Sequence, residues 1–184
     1  ILSMCNSFNK KFLDEAAKLM KNNEDFKMPD HAEFMDQAIE RAIEGVLKND
    51  GGPFGCIITK NGQIIGSGNN RVTSTNDPTA HAEMIAIRAA CQKLNSFQLD
   101  DCIIYTSCEP CPMCLGAIYW ARPKKVYYAA NKSDAAKIGF DDDFIYKELD
   151  FGIERRSIPF EQLGRKNALN AFKVWEEKED KTEY

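Results

Sequence analysis

The chain has 184 residues, 43% of them hydrophobic and 28% charged, which is ordinary for a folded globular protein. This length is enough for one domain with a sizeable core, and no internal repeat or low-complexity tract divides it. The formal net charge of −4 offers no basic surface to a polyanion, so nucleic-acid binding is not expected.

Seven cysteines are a high count for a chain of this length. Their odd number, and the lack of a secretory hydrophobic segment at the start of the sequence, argue against a disulfide framework. Reduced thiols are typical of the cytoplasm, where we expect the protein to act. No apolar run approaches the roughly 20 residues that a membrane-spanning helix needs.

Residues 1–30 are predicted to form an extension ahead of the main domain, which we assign to residues 31–184. From Ser7 to Lys21, apolar residues recur at helical spacing with lysines between them, which predicts a short amphipathic helix. Both a packing arm and a partner-binding segment have this pattern. The polar stretch that follows is interpreted as a linker.

The main domain is predicted to begin with a helix and a β-hairpin. The helix spans Asp36 to Leu47, with Asp30 as a candidate cap upstream. The strands of the hairpin are predicted at Phe54–Thr59 and Gln63–Gly68. Asn-Gly between two apolar runs, here at positions 61 and 62, is a strong hairpin signal.

Seven further elements are predicted between residue 77 and the end of the sequence. They are a helix from Ala80 to Lys93, a strand at Ile103–Thr106, a helix from Pro112 to Trp120, a strand at Val126–Ala129, short helical pieces between Ser133 and Lys147, an edge strand at Ile158–Phe160 and a helix from Lys166 to Lys178. Strands and helices therefore alternate, which predicts an α/β sandwich.

Two short motifs contain the residue types of a catalytic zinc site. Cys111 and Cys114 lie at a predicted helix start, and three residues are nearly one helical turn, so both sulfurs can face one point. With His81 they form a set of three ligands, which leaves a fourth zinc position open for water. Glu83, two residues after the histidine, is then the natural base for that water.

A Cys-x-x-Cys pair also has other uses. One alternative is a redox dithiol, and another is a structural zinc site in which Cys108 is the fourth ligand. The structural alternative leaves Glu83 without a task. His31 is the only other histidine and is expected to be a surface residue of a helix, because the zinc set is complete without it.

The motifs resemble those of the bacterial guanine deaminases of the cytidine deaminase superfamily. The resemblance is carried by residues 76–83, 106–114 and 139–142, and it extends from about Asp36 to Tyr184. It implies a three-layer αβα sandwich with a mixed five-stranded sheet and one Zn²⁺ per chain. It also implies hydrolytic deamination of guanine to xanthine and ammonia, in which Glu83 shuttles protons between water, a ring nitrogen and the leaving ammonia.

The resemblance assigns roles to residues outside the zinc set as well. Asn70 is expected to bind the purine edge, although an asparagine at a strand end also caps turns. Asp142 is expected to accept N–H groups of the base, the alternative being a solvated loop charge. Phe54 suits a core position and a ring that stacks on the base equally well. Tyr184 is implied to enter the active site of a partner subunit in a domain-swapped homodimer, whereas a terminal tyrosine is otherwise a disordered end.

The spacing of the zinc motifs does not determine the substrate. A deaminase of another nucleobase or nucleoside, a tRNA adenosine deaminase of the same superfamily and a non-catalytic zinc module therefore remain alternatives. We expect a small purine as the binding partner, and neither a membrane nor a nucleic acid.

Overall fold

The computed structural model describes residues 30–140 and 142–184 of the chain. Over these ranges it has seven α-helices and four β-strands, with a short 3₁₀ turn at Ile153–Arg155. In chain order they are α1 (His31–Leu47), β1 (Gly55–Lys60), β2 (Gln63–Asn69), α2 (Val72–Thr75), α3 (Ala82–Leu94), β3 (Cys102–Cys108), α4 (Pro112–Ala121), β4 (Lys125–Ala130), α5 (Lys132–Lys137), α6 (Asp143–Asp150) and α7 (Arg165–Glu177).

The four strands form one mixed sheet in the order β2-β1-β3-β4. β1 pairs antiparallel with both β2 and β3, whereas β3 and β4 run parallel and are connected through α4. The β1–β2 connection is the predicted Asn61-Gly62 turn, in which both residues have positive φ angles (52° and 74°). This is the backbone that a two-residue hairpin loop requires.

The two faces of the sheet carry separate hydrophobic clusters. Ile57 of β1 and Tyr105 of β3 pack with α1 on one face. Cys56 and Ile58, which alternate with Ile57 along β1, belong to the larger cluster with α3 and α4 on the other face. These layers make the three-layer αβα sandwich that the resemblance implied.

Two glycines allow helices to lie directly on the sheet. A Cβ atom on Gly55 would lie 2.1 Å from the carbonyl oxygen of Ala38 in α1, and one on Gly68 would lie 2.5 Å from that of Ala82 in α3. Neither distance is sterically possible, so the sequence needs glycine at both positions. The Gly68 contact fixes the N-terminal turn of α3 against β2.

The sequence predicted the types of the central elements, with errors mainly at their ends. The largest boundary error is in α1, which begins at His31 instead of Asp36. The edge strand predicted at Ile158–Phe160 is wrong, because in the described ranges this segment belongs to no sheet and Ile158 is 70% exposed. The sheet consequently has four strands and not the five expected.

The predicted helix from Ser7 to Lys21 and the linker after it lie outside the described residues. The division of the chain near residue 30 therefore stays a prediction. Within the described ranges, no helix combines the length and the apolar character needed to cross a membrane.

Candidate active site

The N-termini of α3 and α4 meet close to the end of β3. His81 is the N-cap residue of α3 and Cys111 is the N-cap residue of α4, and both have an extended backbone (ψ 155° and 167°). His81 therefore precedes the first turn of its helix, whereas the predicted helix from Ala80 to Lys93 includes it. Neither side chain caps its own helix, so both are available to a ligand. Helix N-termini favour negative charge, which suits a cysteine thiolate.

His81, Cys111 and Cys114 form a cluster that fits a zinc ion. The His81 Nδ1 atom lies 3.5 Å from the Sγ of Cys111 and 3.6 Å from the Sγ of Cys114. Two ligands of a tetrahedral zinc ion, at about 2.05 Å for nitrogen and about 2.3 Å for sulfur, lie about 3.5 Å apart. All three ligand atoms are within 4.8 Å of one another. The donor set and its spacing therefore suit zinc with one coordination position left open.

Interactions inside the cluster change the pKa values of its members in the metal-free protein. The pKa of Cys111 is lowered to about 4, mainly because Cys114 donates a hydrogen bond to its sulfur, with a further contribution from His81. The same interaction with Cys111, together with burial, raises the pKa of Cys114. Cys111 also raises the pKa of His81. The lowered pKa of Cys111 favours its thiolate, the form that binds zinc, and zinc binding releases the protons that the other ligands carry.

Glu83 contacts this cluster without being one of its three ligands. It lies in the first turn of α3 and is only 6% exposed. Its Oε1 atom accepts a hydrogen bond from Thr106 Oγ1 at 3.1 Å, and its Oε2 atom lies 3.5 Å from Cys114 Sγ. Burial raises the pKa of the carboxyl group above its usual value. A raised pKa suits a carboxyl group that takes up and returns protons near neutral pH.

Cys108 does not belong to the metal-binding cluster. Its Sγ atom lies 3.7 Å from the backbone oxygen of Asn131, and burial raises the pKa of its thiol to about 11. Across the described parts of the chain, the metal-binding cluster at this site has three members. The geometry therefore disfavours the closed site in which Cys108 would be a fourth ligand.

A cavity of about 760 Å³ opens beside the cluster and reaches most of the predicted site residues. The predicted residues that line it are His81, Glu83, Cys111, Asn70, Asp142 and Phe54. Cys114 lies beneath the cavity wall and is fully buried. One site therefore brings together predicted residues that are up to 88 positions apart in the sequence (54 to 142).

Asn70 lines this cavity and also accepts hydrogen bonds from the neighbouring backbone. It is 5% exposed, and its Oδ1 atom accepts hydrogen bonds from the backbone N–H groups of Gly52 (3.2 Å) and Val72 (3.1 Å). Because two backbone donors hold the oxygen, the orientation of the side-chain amide is fixed. Both the turn-capping role and a position at the cavity wall therefore apply, and the amide nitrogen is the group that can donate to a ligand.

Two aromatic rings form one wall of the cavity. Phe54 and Phe140 meet edge to face, with ring centroids 4.9 Å apart and an interplanar angle of 88°. Phe54 also packs against the main core cluster, so its core position and its position at the cavity both apply. Phe140 is not among the predicted site residues, although it lies two positions before Asp142 in the same motif.

Tyr184 does not reach the cavity of its own chain. Its ring packs near Phe97 and Trp120, with centroid distances of 6.2 Å and 5.9 Å, and the residue is 70% exposed. It is absent from the residues that line the cavity. Within one chain, the structure therefore does not bring Tyr184 together with Glu83 and the metal-binding cluster.

Comparison with known proteins places these features in a defined class. Residues 28–130, more than half of the chain, match the model of the cytidine and deoxycytidylate deaminase zinc-binding region. The chain belongs to this family of zinc-dependent deaminases, and its αβα fold and three-ligand cluster agree with that membership.

Relatives with narrower activities are also similar to the chain. The guanine deaminase of Bacillus subtilis (strain 168) is 58% identical over 154 residues, which cover 84% of this chain and 99% of that protein. The crystal structure of that enzyme matches with a TM-score of 0.82. A guanine deaminase structure from Nitrosomonas europaea matches at 33% identity and a TM-score of 0.57, covering 59% of this chain and 63% of that one. A tRNA-specific adenosine deaminase of Aquifex aeolicus is 47% identical over 97 residues, 53% of this chain and 64% of that protein.

Proposed function

We propose that the protein catalyses the hydrolytic deamination of guanine to xanthine and ammonia, with one zinc ion per chain held by His81, Cys111 and Cys114. The observation that carries this proposal is the buried carboxylate of Glu83, in contact with a zinc-type ligand cluster at a cavity with polar and aromatic walls. The similarity to the Bacillus subtilis guanine deaminase extends over nearly the whole length of that enzyme.

Each protein group has a defined task in this reaction. Zinc bound by the three ligands would supply an activated water as the nucleophile for the ring carbon that carries the amine. The Glu83 carboxylate takes a proton from that water and passes it to the adjacent ring nitrogen. It then transfers the second proton of the water to the amine, which leaves as ammonia. The oxygen stays on the ring carbon as the new carbonyl group, so atoms and charge balance.

Recognition of guanine requires groups that complement its edge. The amide nitrogen of Asn70 donates to an acceptor of the purine, since the oxygen of that amide is held by the backbone. The Asp142 carboxylate, also at the cavity wall, accepts an N–H group of the base. Phe54 and Phe140 contact the ring system. A site built from such groups rejects bases that leave them unpaired.

A tRNA adenosine deaminase is the second candidate, because relatives of that activity share the zinc motifs. Their similarity covers a smaller part of the chain than the similarity to the guanine deaminase does. Binding of a tRNA also depends on many contacts from basic residues to phosphates, and the chain carries a net charge of −4. A free base therefore fits better than a polyanionic substrate.

We infer further that the protein is a homodimer in which the C-terminal segment crosses to the partner. No residue of α7 is buried in the isolated chain, although the helix has apolar side chains. The exposed ones are Leu169, Phe172, Val174 and Trp175. An apolar helix face that the described residues leave uncovered indicates a contact with another molecule. A swapped segment would also carry Tyr184 to the cavity of the partner.

A mixing experiment tests the swap. One chain carries Glu83→Ala and keeps Tyr184, and the other keeps Glu83 and lacks Tyr184. If the segment is swapped, co-refolding restores one complete site in each mixed dimer, so about a quarter of the wild-type activity per site is expected from random pairing. If no activity appears beyond that of the separate variants, the tyrosine does not act across the dimer.

Asp142→Asn tests the assignment of guanine as the substrate. This variant keeps the size of the side chain but replaces one acceptor oxygen with a donor, so guanine turnover should fall strongly while zinc content and fold stay intact. Guanine turnover at the wild-type rate in this variant would remove Asp142 from substrate recognition.

The six cysteines of the described residues form no disulfide bond, and we propose that the enzyme acts in the reducing cytoplasm.

A further inference from the structure

A buried threonine lies directly beneath the carboxylate of Glu83. Thr106 is 1% exposed and lies in β3, on the face of the sheet that is covered by α3. Its hydroxyl group donates to the Oε1 atom of Glu83 at 3.1 Å. The proposed reaction assigns no task to this hydroxyl group, although it is in direct contact with the group that moves the protons.

Thr106 has a paired residue on each neighbouring strand of the sheet, Cys56 of β1 and Tyr128 of β4. Thr106 is paired across the sheet with Cys56, a fully buried cysteine whose pKa is raised by burial and by the nearby Glu83. The N-terminal turn of α3 contributes the fully buried Ala82. The hydroxyl group of Thr106 is therefore a buried polar contact of the carboxylate. The hydrogen bond also lowers the pKa of Glu83, which partly opposes the effect of burial.

The two oxygens of Glu83 consequently have different partners. Oε1 faces the sheet and accepts from Thr106, whereas Oε2 lies 3.5 Å from the Sγ of the zinc ligand Cys114. A free carboxyl group has a nearly two-fold torsion and can carry its proton on either oxygen. A proton on Oε1 would point toward the Thr106 hydroxyl group and away from the metal-binding cluster, where no reactant can receive it.

Resting on the proposed function, we propose that Thr106 is a positioning residue that keeps Oε1 as the accepting oxygen, so that Glu83 carries the shuttled proton on Oε2. The proton of the water moves to Oε2 and from there to the ring nitrogen, and the second proton follows the same path to the amine. Thr106 donates to Oε1 in both protonation states of Glu83, so it gains and loses no proton in the cycle.

The test compares Thr106→Val, which removes the hydroxyl group at nearly constant volume, with Thr106→Ser, which keeps it. Hydrogen bonds to charged groups are among the stronger ones in proteins, so kcat of the valine variant should fall by about 10- to 100-fold. KM and zinc content should stay close to those of the wild type, because neither the cavity wall nor the ligand set changes. The serine variant should recover most of kcat.

Thr59→Val is the matched control. Thr59 is a 2% exposed threonine of β1 whose hydroxyl group hydrogen-bonds Tyr105 on the α1 side of the sheet. The Thr59→Val variant should lose about as much stability as Thr106→Val does, and it should keep its kcat. If valine packs poorly at position 106, Thr106→Ala makes the same comparison, again with Thr106→Ser as the rescue.

A wild-type kcat in Thr106→Val, a loss that serine does not repair, or an equal loss in Thr59→Val would overturn the positioning role. These outcomes are separate from failure of the proposed function, since that failure shows as an inactive wild type on guanine. If the wild type deaminates a different base, the same three variants test the positioning role on that base.

Discussion

The Asn70→Asp variant separates the structural role of this side chain from its proposed role in binding guanine. The carboxylate of this variant retains an oxygen that accepts from the backbone N–H groups of Gly52 and Val72, at 3.2 Å and 3.1 Å in the wild type. A second oxygen replaces the amide nitrogen. In our proposal that nitrogen is the group of this side chain that donates a hydrogen bond to guanine. The loop that lines the cavity should therefore keep its conformation while the substrate loses a donor.

The expected loss of kcat/KM follows from what happens to the hydrogen-bond acceptor of guanine that loses its donor. Losing a neutral hydrogen bond costs about 0.5–1.5 kcal/mol, and leaving a buried acceptor opposite an oxygen adds about 1–3 kcal/mol. Together these terms amount to about 1.5–4.5 kcal/mol, which lowers kcat/KM by about 10- to 2000-fold. Asn70→Ala should in addition destabilise the fold, because both backbone donors lose their acceptor at a residue that is 5% exposed.

The assay is steady-state xanthine formation together with thermal unfolding for both variants. Asn61→Asp, in the exposed hairpin turn that Asp-Gly suits as well as Asn-Gly does, controls for the added negative charge and should leave both readouts unchanged. The reasoning is refuted if Asn70→Asp deaminates guanine like the wild type, or if it loses as much thermal stability as Asn70→Ala does.

Three further predictions concern the metal site and its support. Cys111→Ala should lose zinc and melt at a lower temperature, whereas Cys108→Ser should keep its zinc. The reason is that Cys111 belongs to the ligand cluster and Cys108 does not. A zinc analysis that shows the reverse would contradict this prediction. Glu83→Gln should stabilise the metal-free protein, and this gain should grow as the pH rises above the unfolded-state pKa of Glu83. Burial raises the folded-state pKa of the carboxyl group, and each pKa unit of that shift costs the wild type about 1.4 kcal/mol of folding stability once the group ionises. Equal melting temperatures of the chelator-treated variant and wild type from acid to alkaline pH would contradict this prediction. Gly68→Ala should displace α3, because the added Cβ would lie 2.5 Å from the carbonyl oxygen of Ala82. The free energy of unfolding should then fall by about 1–3 kcal/mol, and zinc should bind more weakly. A variant with unchanged unfolding and zinc affinity would show that the contact is not tight.

The sequence was informative where local chemistry restricts the choice of residues. A metal site demands particular residue types at particular spacings, so His81, Cys111 and Cys114 were identified before any distance was known. Likewise, positive φ angles restrict the hairpin turn at Asn61-Gly62 to residues that tolerate them. Each of these motifs is encoded within a few residues, although the histidine motif and the cysteine motif lie 30 positions apart (81 to 111).

Other features depend on packing between distant segments or on a second molecule. The hydrogen bond between Thr106 and Glu83 joins residues 23 positions apart that only the contact of α3 with the sheet brings together. The segment Ile158–Phe160 has the composition of a strand, yet it has no neighbouring strand to pair with in the described chain. The position of Tyr184 near Trp120 was not predicted either, because the family resemblance implies that this residue enters the site of a partner subunit.

The central claim is that a zinc ion and the buried Glu83 deaminate guanine in this cavity. The most direct test measures xanthine and ammonia released by the zinc-loaded protein from guanine, with guanosine, cytosine, adenine and a tRNA as competing substrates, and with Glu83→Ala as the reference. The account predicts equal amounts of xanthine and ammonia from guanine as the preferred substrate, about one zinc ion per chain, and an inactive Glu83→Ala protein that still binds zinc. Preference for cytosine or the tRNA, or turnover by the Glu83→Ala protein at the wild-type rate, would contradict it.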